Sequence, residues 1–226
     1  MFPEKFTCDI CGMETFGTNL CPDCLKTVTF NDFAVCPVCG RKTLRSEICL
    51  ECKAQPPLYT RGISAIVYEN GGALLISKFK RGDAYLKEYF ADLLAAKLRD
   101  FPDFDCIIYI PMTKKSVRKR GYNQTELLAL ALSERIKVSV IRGAAVKTRQ
   151  TEDQKQLSLK ERADNLKGSF KILKRDELKG KRVLIVDDVL TTGATAAEMS
   201  RAVIAAGAAK VYFTAVASVE YKHTNG

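Results

Sequence analysis

The sequence predicts an α/β chain in which a mostly parallel sheet is preceded by a small head held together by cysteines. Three observations carry that expectation. Short apolar runs such as Val183–Val186 alternate with segments of helical periodicity. The run at 183–186 ends in two acids and a glycine turn that lead into a helical pattern. Eight of the nine cysteines fall in Cys-x-x-Cys pairs within the first 52 residues. The boundary is expected near the Gln55-Pro56-Pro57-Leu58 linker, dividing the chain into 1–57 and 58–226.

The cysteine pairs are Cys8/Cys11, Cys21/Cys24, Cys36/Cys39 and Cys49/Cys52, and each residue of the first two pairs recurs 28 positions later. Gly12 recurs as Gly40, so the head is an internal duplication. Four thiolates from two knuckles match the closed tetrahedral shell of a structural Zn²⁺. Two such sites are expected, Cys8/Cys11/Cys21/Cys24 and Cys36/Cys39/Cys49/Cys52. Spacing leaves open a cross-braced pairing of the first knuckle with the third and the second with the fourth. Disulfides and thiol redox chemistry suit four regular pairs less well in a reducing compartment. A head of this size, poor in large apolar side chains, needs the metal to fold.

Composition is that of a globular protein, 46% hydrophobic and 27% charged. No stretch approaches the roughly 18 apolar residues of a membrane span. Residues 1–5 lack the apolar region of a secretory signal, so no membrane insertion and a cytoplasmic location are expected. Residues 1–60 carry six basic and seven acidic side chains, so the formal charge of +10 belongs to the remainder, which is net +11. Two zinc-thiolate sites would bring the whole to about +6. A surplus on the second part suits either a diphosphate or a nucleic acid.

Residues 63–68 read as the first strand of that part. Gly71-Gly72 opens a segment over 73–79, and Leu86, Phe90, Leu93, Leu94 and Leu98 give helical spacing across 84–98. Residues 105–110 read as a core strand in which Cys106 packs. At its end Lys114, Lys115, Arg118, Lys119 and Arg120 place five basic residues within seven positions, on the edge where open α/β sheets bind ligands. Such a run is also compatible with a solvated face. Asn123 and Glu126 stand at capping-box spacing before a helix through Leu132. Residues 144–147 suggest another strand. The polar stretch 148–168 reads as a lid or a disordered loop, with Ser158 and Glu161 capping a short helix inside it. A closing strand is expected over 210–219, and His223 in the tail is assigned no role.

The chain is organised around Lys181 to Thr195. Val183–Val186 predicts a buried parallel strand. Asp187 and Asp188 follow, then Val189, Leu190, Thr191, Thr192, Gly193, Ala194 and Thr195, then a helix over 196–206 with Thr195 and Glu198 at capping-box spacing. Backbone N–H groups at that helix start, the positive end of its dipole and the threonine hydroxyls describe a phosphate cradle. Acceptor-only carboxylates suit the hydroxyls of a ribose, directly or through Mg²⁺. The bland alternative is two solvated acids before a capped helix.

The whole string resembles the 5-phosphoribosyl 1-diphosphate (PRPP) motif of type I phosphoribosyltransferases. Arg120-Gly121-Tyr122-Asn123-Gln124 resembles a signature of the ComF family. Arg149, Gln154, Leu157, Arg162, Asn165, Gly168 and Phe170 are similar to a second block of that family. The resemblance implies a Rossmann-like type I phosphoribosyltransferase domain behind a double zinc ribbon, in a protein of DNA uptake and natural transformation. It implies that Asp187 and Asp188 hold the ribose and are the catalytic acids. Val189 to Thr195 would hold the 5′-phosphate, Thr113, Lys114 and Lys115 would form the diphosphate loop, and Arg118 and Arg120 would assist it. It further implies Zn²⁺, Mg²⁺ with PRPP, and as partners single-stranded DNA and a helicase-like ATPase. An active transferase, a non-catalytic DNA-binding adaptor and a PRPP-sensing regulator all remain compatible with these residues.

Overall fold

The computed structural model describes residues 5–16, 18–32, 34–148 and 168–220. The duplication is visible in its backbone. In the first copy β1 (Lys5–Thr7) pairs antiparallel with β2 (Glu14–Phe16), Thr7 opposite Glu14, and 28 residues on Val35 bridges Lys42. Gly12 and Gly40 each donate their N–H to the carbonyl of the first cysteine of their copy at 2.9 Å. Both turns need the left-handed region, with φ 77° and 71°, which is why glycine recurs with the cysteines. Each copy ends in a short helix, α1 (Pro22–Leu25) behind Cys21 and α2 (Leu50–Ala54) behind Cys49.

The rest of the chain runs β3 (Arg61–Val67), α3 (Asn70–Arg81), α4 (Leu86–Leu98), β4 (Cys106–Tyr109), α5 (Lys114–Arg120) and α6 (Gln124–Ile136). Then follow β5 (Ala145–Lys147), β6 (Phe170–Ile172), α7 (Arg175–Leu178), β7 (Arg182–Leu190), α8 (Ala194–Ala205) and β8 (Lys210–Ser218). Four strands form one parallel sheet in the order β3-β8-β7-β4. β5 and β6 pair antiparallel beside it. Side chains alternate across β7 as strand geometry requires. Leu184 and Val186 join the core under α3, α4 and α6, while Val183 and Ile185 join the core under α8 and the β5–β6 pair. Burial on both faces explains the unbroken apolar run.

The head docks directly on the sheet. Residues 29–31 run along the outer edge of β3, with the Asn31 N–H donating to the Ala65 carbonyl at 2.9 Å and the Val67 N–H to that of Thr29 at 2.8 Å. An otherwise open strand edge is thereby covered. The Asn31 amide also donates to Ser64 Oγ at 2.8 Å and to the Ile66 carbonyl at 3.2 Å. Tyr59 stacks on Phe213 at 5.5 Å.

Several local expectations are revised. The 183–186 strand continues through both acids to Leu190, because β8 pairs with it as far as Ser218. The basic run after β4 is a helix, α5, rather than a turn: Thr113 caps it by accepting from the Ser116 N–H at 3.2 Å. Asn123 does cap α6, but Glu126 reaches sideways to Arg142 at 2.9 Å instead of back to the cap. Thr195 is not a cap at all, since α8 already begins at Ala194 behind a left-handed Gly193 with φ 85°. Cys106 is fully packed, and burial pushes its thiol up to about 11. The 148–168 loop, from position 149 to 167, and His223 lie outside the described residues. No described helix is long and apolar enough to cross a membrane.

The two copies of the knuckle glycine give a matched test. A methyl group on Gly40 would stand 2.3 Å from the Ile63 Cα, whereas one on Gly12 would meet nothing within 4 Å. Gly12→Ala should cost only the left-handed penalty, about 1–2 kcal/mol. Gly40→Ala should cost more than about 3 kcal/mol, because the head must lift from β3. Thermal unfolding of the two variants measures this, and equal losses would contradict the docking.

Candidate functional site

β7 carries Asp187 and Asp188 to the C-terminal edge of the sheet, and because the strand has not yet ended there, its alternation sends them to opposite faces. Asp188 faces α3 and α6. Its Oδ2 lies 3.1 Å from Lys80 Nζ and accepts from Gln124 Nε2 at 2.8 Å. Asp187 faces the β5–β6 side. There burial lowers the Lys147 pKa, and the charge of Asp187 opposes that fall. One Asp187 oxygen accepts the Asp188 N–H at 2.8 Å. Both acids are buried, 8% and 7% exposed. Burial first, then the charge of Asp188, pushes the Asp187 carboxyl up to about 8, against the Asp188 N–H and Lys80, which hold it down. Asp188 is thus held by an ammonium and an amide, while burial raises the pKa of its neighbour Asp187.

Two of the groups that hold Asp188 were not among the site residues expected from sequence. Lys80 sits in the basic end of α3 and reads as an ordinary C-terminal cation. Gln124 lies inside the Arg-Gly-Tyr-Asn-Gln signature, and every residue of that signature has a visible task. Arg120 donates to Gln124 Oε1 at 2.6 Å, so a chain of hydrogen bonds runs from α5 to Asp188. Gly121 supplies the left-handed end of α5, with φ 91°. The Tyr122 hydroxyl donates to the Phe79 carbonyl, tying this loop to α3. Asn123 caps α6 and donates to the Ile110 carbonyl at 3.3 Å. Lys114, Lys115, Arg118 and Lys119 are exposed on α5, while Arg120 turns inward.

Beyond the acids, Val189 and Leu190 complete β7 and Thr191, Thr192 and Gly193 form the turn. Thr191 is exposed, and Thr192, Gly193, Ala194 and Thr195 are partly so. Thr192 Oγ1 accepts the Ala194 N–H at 3.3 Å, and the first helical bond runs from the Ala197 N–H to the Gly193 carbonyl at 2.8 Å. The turn therefore presents the positive end of a 12-residue helix on the same edge as the acids. Glu198 is used elsewhere: it accepts the Gly168 N–H at 2.6 Å and pairs with Arg201.

In the head, the sulfurs of Cys8, Cys11, Cys21 and Cys24 lie within 4.8 Å of one another, as do those of Cys36, Cys39, Cys49 and Cys52. This is the sequential pairing, not the cross-braced one. Cys11 and Cys21 sulfurs are 3.8 Å apart and those of Cys39 and Cys49 3.6 Å. Tetrahedral Zn–S bonds of about 2.3 Å would separate two sulfurs by roughly 3.8 Å. Each tetrad can hold a zinc ion. The Cys39 thiol is brought down to about 5, chiefly by its hydrogen bond with Cys52 and against burial, while the same bond and burial push Cys52 up. Four crowded thiols cannot all ionise without a cation among them.

The acid pair and the tetrads each lend themselves to measurement. Asp187 has its folded pKa above the ordinary carboxyl value of 3.8, so protonation favours the folded state. That contribution is complete below about pH 4 and is lost as pH rises through about 8. Asp187→Asn should therefore melt well above wild type at pH 8 and come level with it only near pH 4 and below, and an equal difference at both would contradict the burial. Zinc release to a chromogenic chelator should show two phases. The first tetrad, whose Cys11 is exposed, should lose metal first, and Cys11→Ser should abolish the fast phase.

Residues 116–224 match the family model described as a phosphoribosyl transferase domain. Competence protein F of Haemophilus influenzae is 32% identical over 137 residues, 57% of this chain and 60% of that protein. The DNA utilization protein YhgH of Salmonella typhi is 30% identical over 164 residues, 70% of this chain and 71% of that protein. The chain spans about half the length, 46%, of other curated relatives of the latter name. Among solved structures, an adenine phosphoribosyltransferase from Thermoanaerobacter pseudethanolicus is 21% identical, with 70% of this chain and 79% of that one covered at a TM-score of 0.38. With the parallel sheet, the two cysteine tetrads and these relatives in hand, the chain belongs to the ComF family of phosphoribosyltransferase-domain proteins.

Proposed function

We propose that this chain binds PRPP at the C-terminal edge of its parallel sheet and serves DNA uptake in the cytoplasm. Residues 1–57 would be its zinc-held head and residues 58–226 its phosphoribosyltransferase-like domain. The observation that carries the reading is the meeting, on one edge, of Asp188 tied to Lys80 and Gln124 with the turn that opens α8. The competence and DNA-utilization names of the relatives support the cellular role.

In this reading the turn from Thr191 to Thr195 receives the 5′-phosphate, and Asp187 and Asp188 receive the ribose hydroxyls. The acids lie on opposite faces of β7, so they do not chelate one bare ion between them. A single carboxylate plus oxygens of the ligand is an ordinary environment for Mg²⁺, so the residues fit. When bound, Mg²⁺ supplies neutralising charge to the diphosphate. Lys80 is already seated at Asp188 and would yield or share that carboxylate as the sugar arrives. Lys114, Lys115 and Arg118 would meet the diphosphate, whereas Arg120 holds Gln124 and would act through it. In a transfer reaction, the bond from the ribose anomeric carbon to the diphosphate oxygen breaks and diphosphate leaves with the electron pair. A bond forms from the lone pair of a nucleophilic N–H nitrogen of the acceptor, whose proton passes to the departing diphosphate or to water. Carboxylates at the hydroxyls would stabilise the cationic sugar between those events.

A second reading, a single-stranded-DNA-binding adaptor that works with a helicase-like ATPase, is favoured by the four exposed basic residues of α5. PRPP with Mg²⁺ should raise the melting temperature of the wild-type protein, and Asp188→Asn should remove that rise. A wild-type curve that ignores PRPP would sink the PRPP reading. Diphosphate released on adding a nucleobase or single-stranded DNA would mark a transferase, and intact PRPP after long incubation a sensor.

A further inference from the structure

We propose that Arg41, carried by the second cysteine knuckle, is a phosphate-binding residue of the Thr191–Thr195 turn, so that the head completes the phosphate site. The inference rests on the PRPP reading above and adds to it a residue from outside the motif.

Arg41 follows Gly40, whose backbone is pressed onto β3: the Gly40 carbonyl accepts from Ser64 Oγ at 3.0 Å, and no side chain would fit against Ile63. The Arg41 carbonyl in turn accepts the Cys36 N–H at 2.7 Å, so the residue is set by the tetrad turn on one side and by the sheet on the other. Arg41 is 3% exposed, and its side chain runs to the far end of β7 and β8. There Nη1 donates to the Val219 carbonyl at 3.3 Å, and the Val219 N–H donates to the Leu190 carbonyl at 3.0 Å. Nη2 lies 3.7 Å from the position a Cβ of Gly193 would take.

The guanidinium thus lies at contact distance from the Gly193 end of the turn. Any larger residue at 193 would strain a φ of 85°. Arg41, Thr192, Gly193 and Ala194 share the wall of one cavity of about 630 Å³. An anion seated at the start of α8 would meet backbone N–H groups and the helix dipole from one side. From the head side it would meet the Nη2 end of a guanidinium whose Nη1 is already held by the Val219 carbonyl. Arg41 lies two residues beyond Cys39, so its placement depends on the knuckle that the second tetrad organises.

Calorimetric titration of the zinc-loaded full chain with ribose 5-phosphate, with PRPP and Mg²⁺, and with magnesium pyrophosphate tests this. Arg41→Gln should weaken ribose 5-phosphate and PRPP about tenfold or more while leaving magnesium pyrophosphate unchanged. Arg41→Lys, which keeps the charge and loses the fork, should weaken the two sugar phosphates several-fold. It decides the matter if the glutamine variant does not fold. Unchanged sugar-phosphate affinity in these variants, beside a wild type that binds PRPP, overturns the inference and leaves the PRPP site standing. Equal weakening of pyrophosphate also overturns it, since Arg41 would then act on the fold at large. A wild type that binds none of the three overturns the PRPP reading itself.

Discussion

Two neighbouring carboxylates buried at the end of a central strand are a standing electrostatic problem, and much of the molecule is arranged around its solution. β7 lies between β8 and β4 and its pairing with β8 continues past the acids to Leu190, so both carboxylates are set on the strand and largely buried. One charge is met in full: Asp188 has an ammonium from α3 at 3.1 Å and an amide from α6 at 2.8 Å. The other is avoided, because burial and the Asp188 charge keep the Asp187 proton on to about pH 8. On the PRPP reading proposed above, the incoming ligand would bring hydroxyl donors and its own cation. Such a ligand would replace the lysine contact and offer Asp187 a reason to ionise.

That arrangement explains what was legible in the sequence and what was not. The apolar run, the acid pair and the glycine turn are consecutive, so strand, site and helix could be placed from local pattern. The capping-box spacing of Thr195 and Glu198 misled because a competing long-range partner won. Glu198 is committed to the Gly168 N–H and to Arg201, and glycine at 193 can start the helix without a side-chain cap. Lys80 was invisible as a site residue because nothing near it in sequence shows that α3 ends over Asp188. Charge alone does not fix the backbone of the basic run after β4, and the family resemblance implies a loop at Thr113, Lys114 and Lys115. The run folds as a helix because Thr113 and Gly121 fence seven residues between a cap and a left-handed stop.

The duplication in the head was equally plain from spacing, down to the glycines. Its docking was not, because docking depends on residues that the two copies do not share. Asn31 supplies an amide that feeds several acceptors along β3 and at the end of β8. The residue 28 positions further on is Tyr59, which instead lays its ring on Phe213. The two positions thus meet the sheet by unlike chemistry, one through hydrogen bonds and the other through a stacked ring. The second copy is held besides by bonds of Val38, Gly40 and Arg41 to the sheet region. Sequence periodicity speaks to which residues share a face, and it is silent on which strand edge a neighbouring unit will cover.

The two copies have also taken different sides of the sheet, which gives the metal sites a reach beyond the head. Cys8, Leu20, Cys21 and Val28 of the first copy pack into the core under α3, α4 and α6, and the Tyr85 hydroxyl donates to Asp9 at 2.8 Å. Cys36, Cys39, Cys52 and Tyr59 of the second pack into the core under α8. Each tetrad is therefore joined to one face of the same strand, the first on the side of Asp188 and the second on the side of Asp187. Loss of metal from the first would loosen the helices that bring Lys80 and Gln124 to their acid. Loss from the second would loosen the wall beside the Thr191–Thr195 turn. A head that only tethered partners would have no need of such attachment, since a flexible linker would serve; the packing makes its cysteines part of what holds the site in shape.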